Sequence, residues 1–315
     1  MKKETTIEFD NKKTVSFLSN TLCRYRAIND KSIDALRNDK LFFSTPGESF
    51  NDPFDNLIYA DPRKILFDIY KEIQLNMDDY IEQQKRANLK RAAFADLMYH
   101  GSHKNRILDE FIEECELHIE QFKFDLLNNT RIICFSELYD SMLMWSHYAD
   151  QHKGFALIFD KESIESAKVY TNDDKLITKK PILMPVNYVE KQVNLTEDIE
   201  NHLKNYFMQK QRGISPFEEN LSQHKLRRTI TEKSLDWGYE KEWRLIPRHI
   251  DLDHKSNLGY LNIIPKAVII GALCTEEDSI KIFDICNEKG IPLFDIRVKE
   301  WEPGFKLHVS SYKHQ

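Results

Sequence analysis

Apolar and polar positions alternate in short runs at both ends of the chain, and at helical spacing between them. Leu22-Cys23-Arg24-Tyr25-Arg26 reads as a strand, and Asn29-Asp30 caps a helix from Ser32 to Asn38. Lys40 to Ser44 is a second strand closed by Thr45-Pro46-Gly47, followed by the turn Asn51-Asp52-Pro53-Phe54-Asp55. From Pro62 to about Asn128 the pattern is helical throughout, with Phe111, Ile112, Cys115, Ile119 and Phe122 at spacings of three and four. Arg131–Ser136 returns to strand character, a helix from Ser141 to His152 ends at a cap at Lys153-Gly154, and Phe155–Phe159 and Val186–Val189 are strands.

A second helical block runs from Leu195 to Leu235, broken near Gly213–Pro216. The remainder predicts strands at Tyr239–Ile246, Tyr260–Ile264, Ala267–Ile270, Phe294–Val298 and Phe305–Val309. One helix interrupts them, opened by the capping box Thr275-Glu276-Glu277-Asp278 and stopped at Gly290. Strands and helices do not alternate regularly, which argues against a doubly wound parallel sheet. The expectation is one α+β domain over residues 1–315, with a mixed sheet core from 20–61, 129–194 and 236–315. Two helical insertions, 62–128 and 195–235, interrupt that core, and residues 1–19 form a polar arm.

Composition narrows the chemistry. The 315 residues include only 9 glycines, and the nearest pair, Gly259 and Gly271, is too widely spaced for a GxGxxG turn or a GxxxxGK[ST] phosphate loop. A bound nucleotide would therefore have its phosphates held by side chains. The net charge of −6 favours solubility and argues against bulk nucleic-acid binding. The five cysteines (Cys23, Cys115, Cys134, Cys274, Cys286) are scattered and form no CxxC, which predicts free thiols in a reducing cytosol. The amino terminus lacks an apolar run after its lysines, and no apolar stretch is long enough to span a bilayer. A cytoplasmic protein without membrane contact is expected.

Candidate chemistry clusters in three places. In Tyr239-Glu240-Lys241-Glu242-Trp243-Arg244-Leu245-Ile246, strand alternation puts Glu240, Glu242 and Arg244 on one face, suited to a cleft wall or to a solvated, self-paired edge. Close carboxylates raise each other's pKa while the arginine lowers it, so one can act as a base. Arg24 and Arg26 share a face of the first strand and can clamp a diphosphate by two-pronged contacts. Cys134-Phe135-Ser136-Glu137 precedes Met144-Trp145-Ser146-His147-Tyr148, where His147 suits a general base, a stacking ring or a core histidine. His147 and His152 are too far apart for helical metal ligands, and Ser136 lacks a GxSxG elbow. No metal site is expected. Lys225, Arg227 and Arg228 make a small basic patch that reads as a solvated helix face, with a nucleic-acid contact as the alternative.

The segments LCRYRAIND, LFFSTPGESFNDPFD, ICFSELYDSMLMWSHYADQHKGFALIFD, VNY and WGYEKEWRLI resemble a bacterial domain family of unknown function. The resemblance runs from Leu22 to Gly271 outside the two insertions. The layout is similar to AbiGi-type abortive-infection proteins. More remotely it resembles the ADP-ribosyltransferase fold, DarT-like toxins included. That resemblance implies NAD as co-substrate, lying in a cleft between small sheets. Arg24 would contact the NAD diphosphate beside Arg26, and Ser136 would support the nicotinamide side, with Ser44 competing for that role. Tyr25 or Trp145 would pack on a ring, and Asn51, Asp52, His147, Tyr148 and Arg244 would complete the binding set. Glu242 would orient the ribose hydroxyl, and Glu240 would activate the acceptor. The reading is a mono-ADP-ribosyltransferase-like enzyme acting on a protein or nucleic acid, as an effector of anti-phage defence or a toxin with an antitoxin-like partner. A non-catalytic nucleotide sensor is the alternative. A metal-dependent nuclease using Asp52, Asp55, Glu240 and Glu242 is a further one.

Overall fold

Strand β5 (Phe155–Asp160) and strand β14 (Ala267–Ile270) are near-continuous apolar runs because both of their faces are covered. They sit at the centre of the fold in a computed structural model that describes residues 17–75, 106–211, 222–250, 257–298 and 307–312. The other strands are β1 (Thr21–Arg26), β2 (Lys40–Phe42), β3 (Ile58–Tyr59), β4 (Ile133–Ser136), β6 (Lys168–Thr171), β7 (Leu176–Ile177) and β8 (Ile182–Pro185). They continue with β9 (Asn187–Val189), β10 (Val193–Asn194), β11 (Glu232–Ser234), β12 (Glu242–Ile246), β13 (Leu258–Asn262), β15 (Leu293–Val298) and β16 (Leu307–Ser311).

Eight of these form one sheet in the order β16-β15-β14-β5-β1-β4-β12-β8. Only β14 and β15 pair in parallel within it, across the Glu276–Lys289 helix, so the sheet is mixed and the architecture is α+β. That helix starts and stops as its sequence dictates: the Thr275 hydroxyl caps the Asp278 amide, and Gly290 takes the left-handed conformation at φ 67°. A second sheet, β2-β13-β6-β7, packs Leu41, Val169 and Leu261 against Leu22, Phe135, Leu157 and Phe159 of the first. The opposite face carries Tyr25, Ala156, Ile158, Ile269 and Phe294, with Trp145 packed in the same cluster. A third core lies where the Pro62–Leu75, Arg106–Asn129, Thr196–Gln211 and Gln223–Thr231 helices meet Ile132 and Ile246, through Ile65, Leu126, Leu203 and Ile230.

Several expectations are corrected. The strand predicted over Tyr239–Ile246 begins only at Glu242. Leu235–Glu240 is a 3-10 helix capped by the Ser234 hydroxyl, and left-handed Lys241 (φ 47°) separates the two. The second helical block stops at Thr231, because residues 232–234 pair in parallel with β9. The Met142–Tyr148 helix ends before the predicted cap, and Asp150, Gln151 and His152 follow with positive φ. Gly154 is needed for close approach instead: any Cβ there would strike the Arg26 and Ala149 carbonyls. Leu18, within the supposed polar arm, is buried, and Phe17 packs on Phe294. Strands β3, β6, β7, β8 and β10 were not expected. Residues 1–16, the middle of the first insertion (76–105), the Gly213–Pro216 break and Phe305 lie outside the described residues, as do the side chains of Phe111, Ile112 and Cys115.

Candidate functional site

Strand β1 pairs with β5 at six register positions, from Thr21↔Asp160 to Arg26↔Phe155, but with β4 only at Cys23↔Ser136. Past Cys23 the two strands part. A cavity of about 360 Å³ is lined by residues of both, at the low end of the range for small-molecule sites. Arg24 and Arg26 contribute from β1, and Cys134 and Ser136 from β4. Glu242 stands beside Ser136 on β12. Lys233, Glu240, Tyr148 and the loop residues Phe50, Asn51 and Asp55 complete the wall. Arg24 and Glu242 thus share one cavity across the splayed strands.

The cationic side is short of partners. Arg24 is buried, donating Nη1 to the Cys134 carbonyl at 2.8 Å and Nη2 towards Ser44 Oγ at 3.5 Å. Its Nε has no acceptor. Among the described residues no carboxylate forms an ion pair with Arg24 or Arg26. Burial, and then the Arg24 charge, push the Arg26 guanidinium well below its ordinary pKa; burial lowers Arg24 as well. One buried and one half-buried guanidinium without an ion pair among the described residues favour an anion between them.

The acidic side is crowded with partners. Lys233 Nζ lies 2.7 Å from Glu240 Oε2, 3.3 Å from Glu242 Oε2 and 3.7 Å from Asp55 Oδ2. Arg244, wholly buried, donates Nε to Glu242 Oε1 at 2.8 Å and Nη2 to Asp55 Oδ2 at 2.6 Å. The Glu242 backbone amide donates to the Tyr188 hydroxyl at 2.8 Å, which fixes the start of β12. Burial alone would raise the Glu242 carboxyl, but Arg244 and Lys233 overcome it and hold the pKa at about 2. Glu240 goes the other way. Burial raises it in spite of Lys233 and the hydrogen bond that Tyr148 donates to Oε1 at 2.6 Å. Two carboxylates in one cavity are thereby pushed apart in pKa, the arrangement that separates an ionised stabiliser from a proton acceptor.

Of the residues proposed from sequence, Arg24, Tyr25, Arg26, Ser44, Asn51, Ser136, Tyr148, Glu240 and Glu242 line this cavity. Ser136 is committed within the protein, donating to the Glu240 carbonyl at 2.6 Å and accepting from the Leu138 amide at 3.0 Å. Trp145 does not reach the cavity: it is buried edge-on against Tyr25, with its indole nitrogen on the Tyr139 carbonyl. Asp52 closes its own turn by accepting from the Phe54 amide, and Arg244 lies behind Glu242. His147 is exposed beside Tyr148 and Tyr239. Sequence reasoning missed Lys233, since Thr231-Glu232-Lys233-Ser234 looks like any helix surface. Asp55 was read as part of a turn and as a ligand of the nuclease alternative, not as the partner of Arg244.

Among the described residues, no group of three or more His, Cys, Asp or Glu is arranged to hold a metal, and no helix is long and apolar enough to cross a membrane. Lys233 and Arg244 occupy the space between Asp55, Glu240 and Glu242. Cys23, Cys134, Cys274 and Cys286 are free thiols.

The site therefore belongs to an α+β protein with an ionic cavity at a split in its main sheet. Residues 144–245 match the model of a family described as protein of unknown function (DUF2971). The match takes in Tyr148, Lys233, Glu240, Glu242 and Arg244, and leaves Arg24, Arg26 and Asp55 outside. Comparison with curated proteins and with solved structures gave no match.

Proposed function

We propose that this protein is an NAD-consuming, mono-ADP-ribosyltransferase-like enzyme whose cavity holds the dinucleotide between the β1 arginines and the β12 glutamate. The observation that carries the reading is the placement of Arg24, Ser136 and Glu242 on three successive strands, β1, β4 and β12, around one cavity. The orphaned Arg24 Nε and Arg26, which has no ion pair among the described residues, fit a diphosphate. A whole dinucleotide would lie only partly inside the cavity.

Bound there, NAD supplies a sugar carbon that loses neutral nicotinamide, together with the bonding electron pair, and joins an acceptor nucleophile. Arg24 and Arg26 fix the phosphates and so orient that carbon. Glu242, kept ionised by Arg244 and Lys233, sets negative charge beside the sugar where positive charge develops. Glu240 takes the proton that the acceptor gives up, which its raised pKa favours. An effector role in anti-phage defence, with an antitoxin-like partner, belongs to the same proposal and rests on sequence resemblance alone.

A nucleotide-binding module without turnover is the second reading, favoured because Arg244 and Lys233 already occupy both Glu242 oxygens. Incubation of purified protein with NAD and cell lysate separates the two. Nicotinamide release from wild type, abolished in Glu242→Gln, supports the enzyme. Binding of ADP-ribose with no release after prolonged incubation supports the module.

A further inference from the structure

Glu240 lines the cavity and is hydrogen-bonded there to a tyrosine whose hydroxyl also reaches an exposed residue. Its carboxylate is buried, with Oε2 on Lys233 Nζ, itself buried beneath the Trp237 ring at 4.7 Å. Oε1 meets the hydroxyl of Tyr148, a half-buried residue of the Met142–Tyr148 helix. That hydroxyl has two acceptors within reach and one proton to give: Glu240 Oε1 at 2.6 Å and the exposed Asn51 Oδ1 at 3.4 Å. Both line the cavity, but Glu240 is buried in its wall whereas Asn51 is also exposed to water.

We propose that Tyr148 is the proton gate of the cavity, passing protons between Glu240 and solvent by turning its hydroxyl between Glu240 and Asn51. When Glu240 is ionised, the phenol donates to Oε1. When Glu240 is neutral, the carboxyl O–H donates to the phenol oxygen, and the phenol O–H points outward to Asn51 or water. For a proton to leave, the Glu240 O–H bond breaks as its proton moves to the phenol oxygen, the phenol's own proton passes to a water molecule, and the hydroxyl turns back to donate to Oε1, so no charge is left on tyrosine. This matches the phenol's own acidity: burial and the Glu240 acceptor both raise its pKa, so it stays neutral and works by rotation and exchange. Lys233 cannot fill the role, because Glu242, Asp55 and Glu240 overcome the effect of burial and hold its ammonium charged. The other groups facing this carboxyl are Glu242 on β12, Tyr188 on β9 and Tyr239 on its own helix.

The inference deepens the proposed reaction, in which Glu240 must shed the acceptor's proton, but its test does not need turnover. The carboxyl band of Glu240, identified by its loss in Glu240→Gln, is followed by infrared spectroscopy after a pH jump in wild type and Tyr148→Phe. Loss of the phenol donor should raise the Glu240 midpoint, slow protonation at least tenfold, and leave a rate restored by imidazole buffer, a small proton carrier. A raised midpoint with an unchanged rate makes Tyr148 a structural donor only and overturns the gate. An unchanged midpoint and rate overturns the contact itself. Nicotinamide release, assayed on the same proteins, reports separately on the transferase reading: its absence from wild type sinks that reading and leaves the infrared result standing.

Discussion

Arg244 grips Asp55 across 189 positions of sequence with both terminal nitrogens, at 2.9 and 2.6 Å. The same guanidinium holds Glu242, two residues away on its own strand, so one buried cation ties the loop ahead of β3 to the carboxylate on the cavity wall. A two-pronged pair of this kind fixes orientation as well as distance.

Asp55→Ala should be strongly destabilising. It leaves a wholly buried guanidinium with one carboxylate fewer, a change that typically costs about 3–5 kcal/mol. Urea unfolding of the variant and wild type measures it. A loss under about 1 kcal/mol would mean that Asp55 does not fix the loop.

Arg24→Met and Arg26→Met should separate binding from stability. Neither guanidinium has an ion-pair partner to lose among the described residues, and Arg24 Nε is unsatisfied, so unfolding free energy should change by less than about 1 kcal/mol. Affinity for ADP-ribose by calorimetry should fall by about 10-fold or more, the loss of a charge-assisted contact. Equal affinity in wild type and both variants would remove the arginines from the site.

The carboxylates give stability opposite pH dependences. Glu242, depressed to about 2, adds stability that is complete above the ordinary carboxylate pKa and is lost as pH falls towards 2. Glu240, raised, adds stability that is complete below the ordinary value and is lost as pH climbs through its folded pKa. Glu242→Gln should therefore flatten the acid side of the stability curve, and Glu240→Gln the side above the ordinary carboxylate range. Thermal melts from pH 3 to 8 test both signs.

In activity, the acidic limb should follow Glu240. If Glu240 accepts the proton, nicotinamide release rises with pH through its raised pKa, and Glu242 stays ionised across the whole range. A rate independent of pH between 4 and 8 would contradict that role.

Gly154→Ala should misplace β1. The added methyl would meet the Arg26 carbonyl oxygen and the Ala149 carbonyl, both rigid backbone, at a cost of about 1–3 kcal/mol. Loss of ADP-ribose affinity should accompany the loss of stability, since Arg26 sits on the displaced strand.

How much was legible beforehand differed by element. Local patterns gave the Glu276–Lys289 helix with both its caps, the buried runs of β5 and β14, and the shared face of Glu242 and Arg244, because helix caps and strand alternation are set by neighbours in the chain. The same alternation, carried two residues too far, put Glu240 on the strand. A left-handed Lys241 breaks the run there, and Glu240 reaches the cavity from a 3-10 helix. The amino-acid order alone supplied the arginines, the glutamates and the lack of any glycine-rich phosphate loop. Tertiary structure decided which of them meet: Lys233 joins Glu240 and Glu242 only because residues 232–234 pair with β9, and Arg24 shares a cavity with Glu242 only because β1 and β4 part after one register pair. Pairing between distant strands is a balance of packing and hydrogen bonding over the whole sheet, and no short window of sequence contains it.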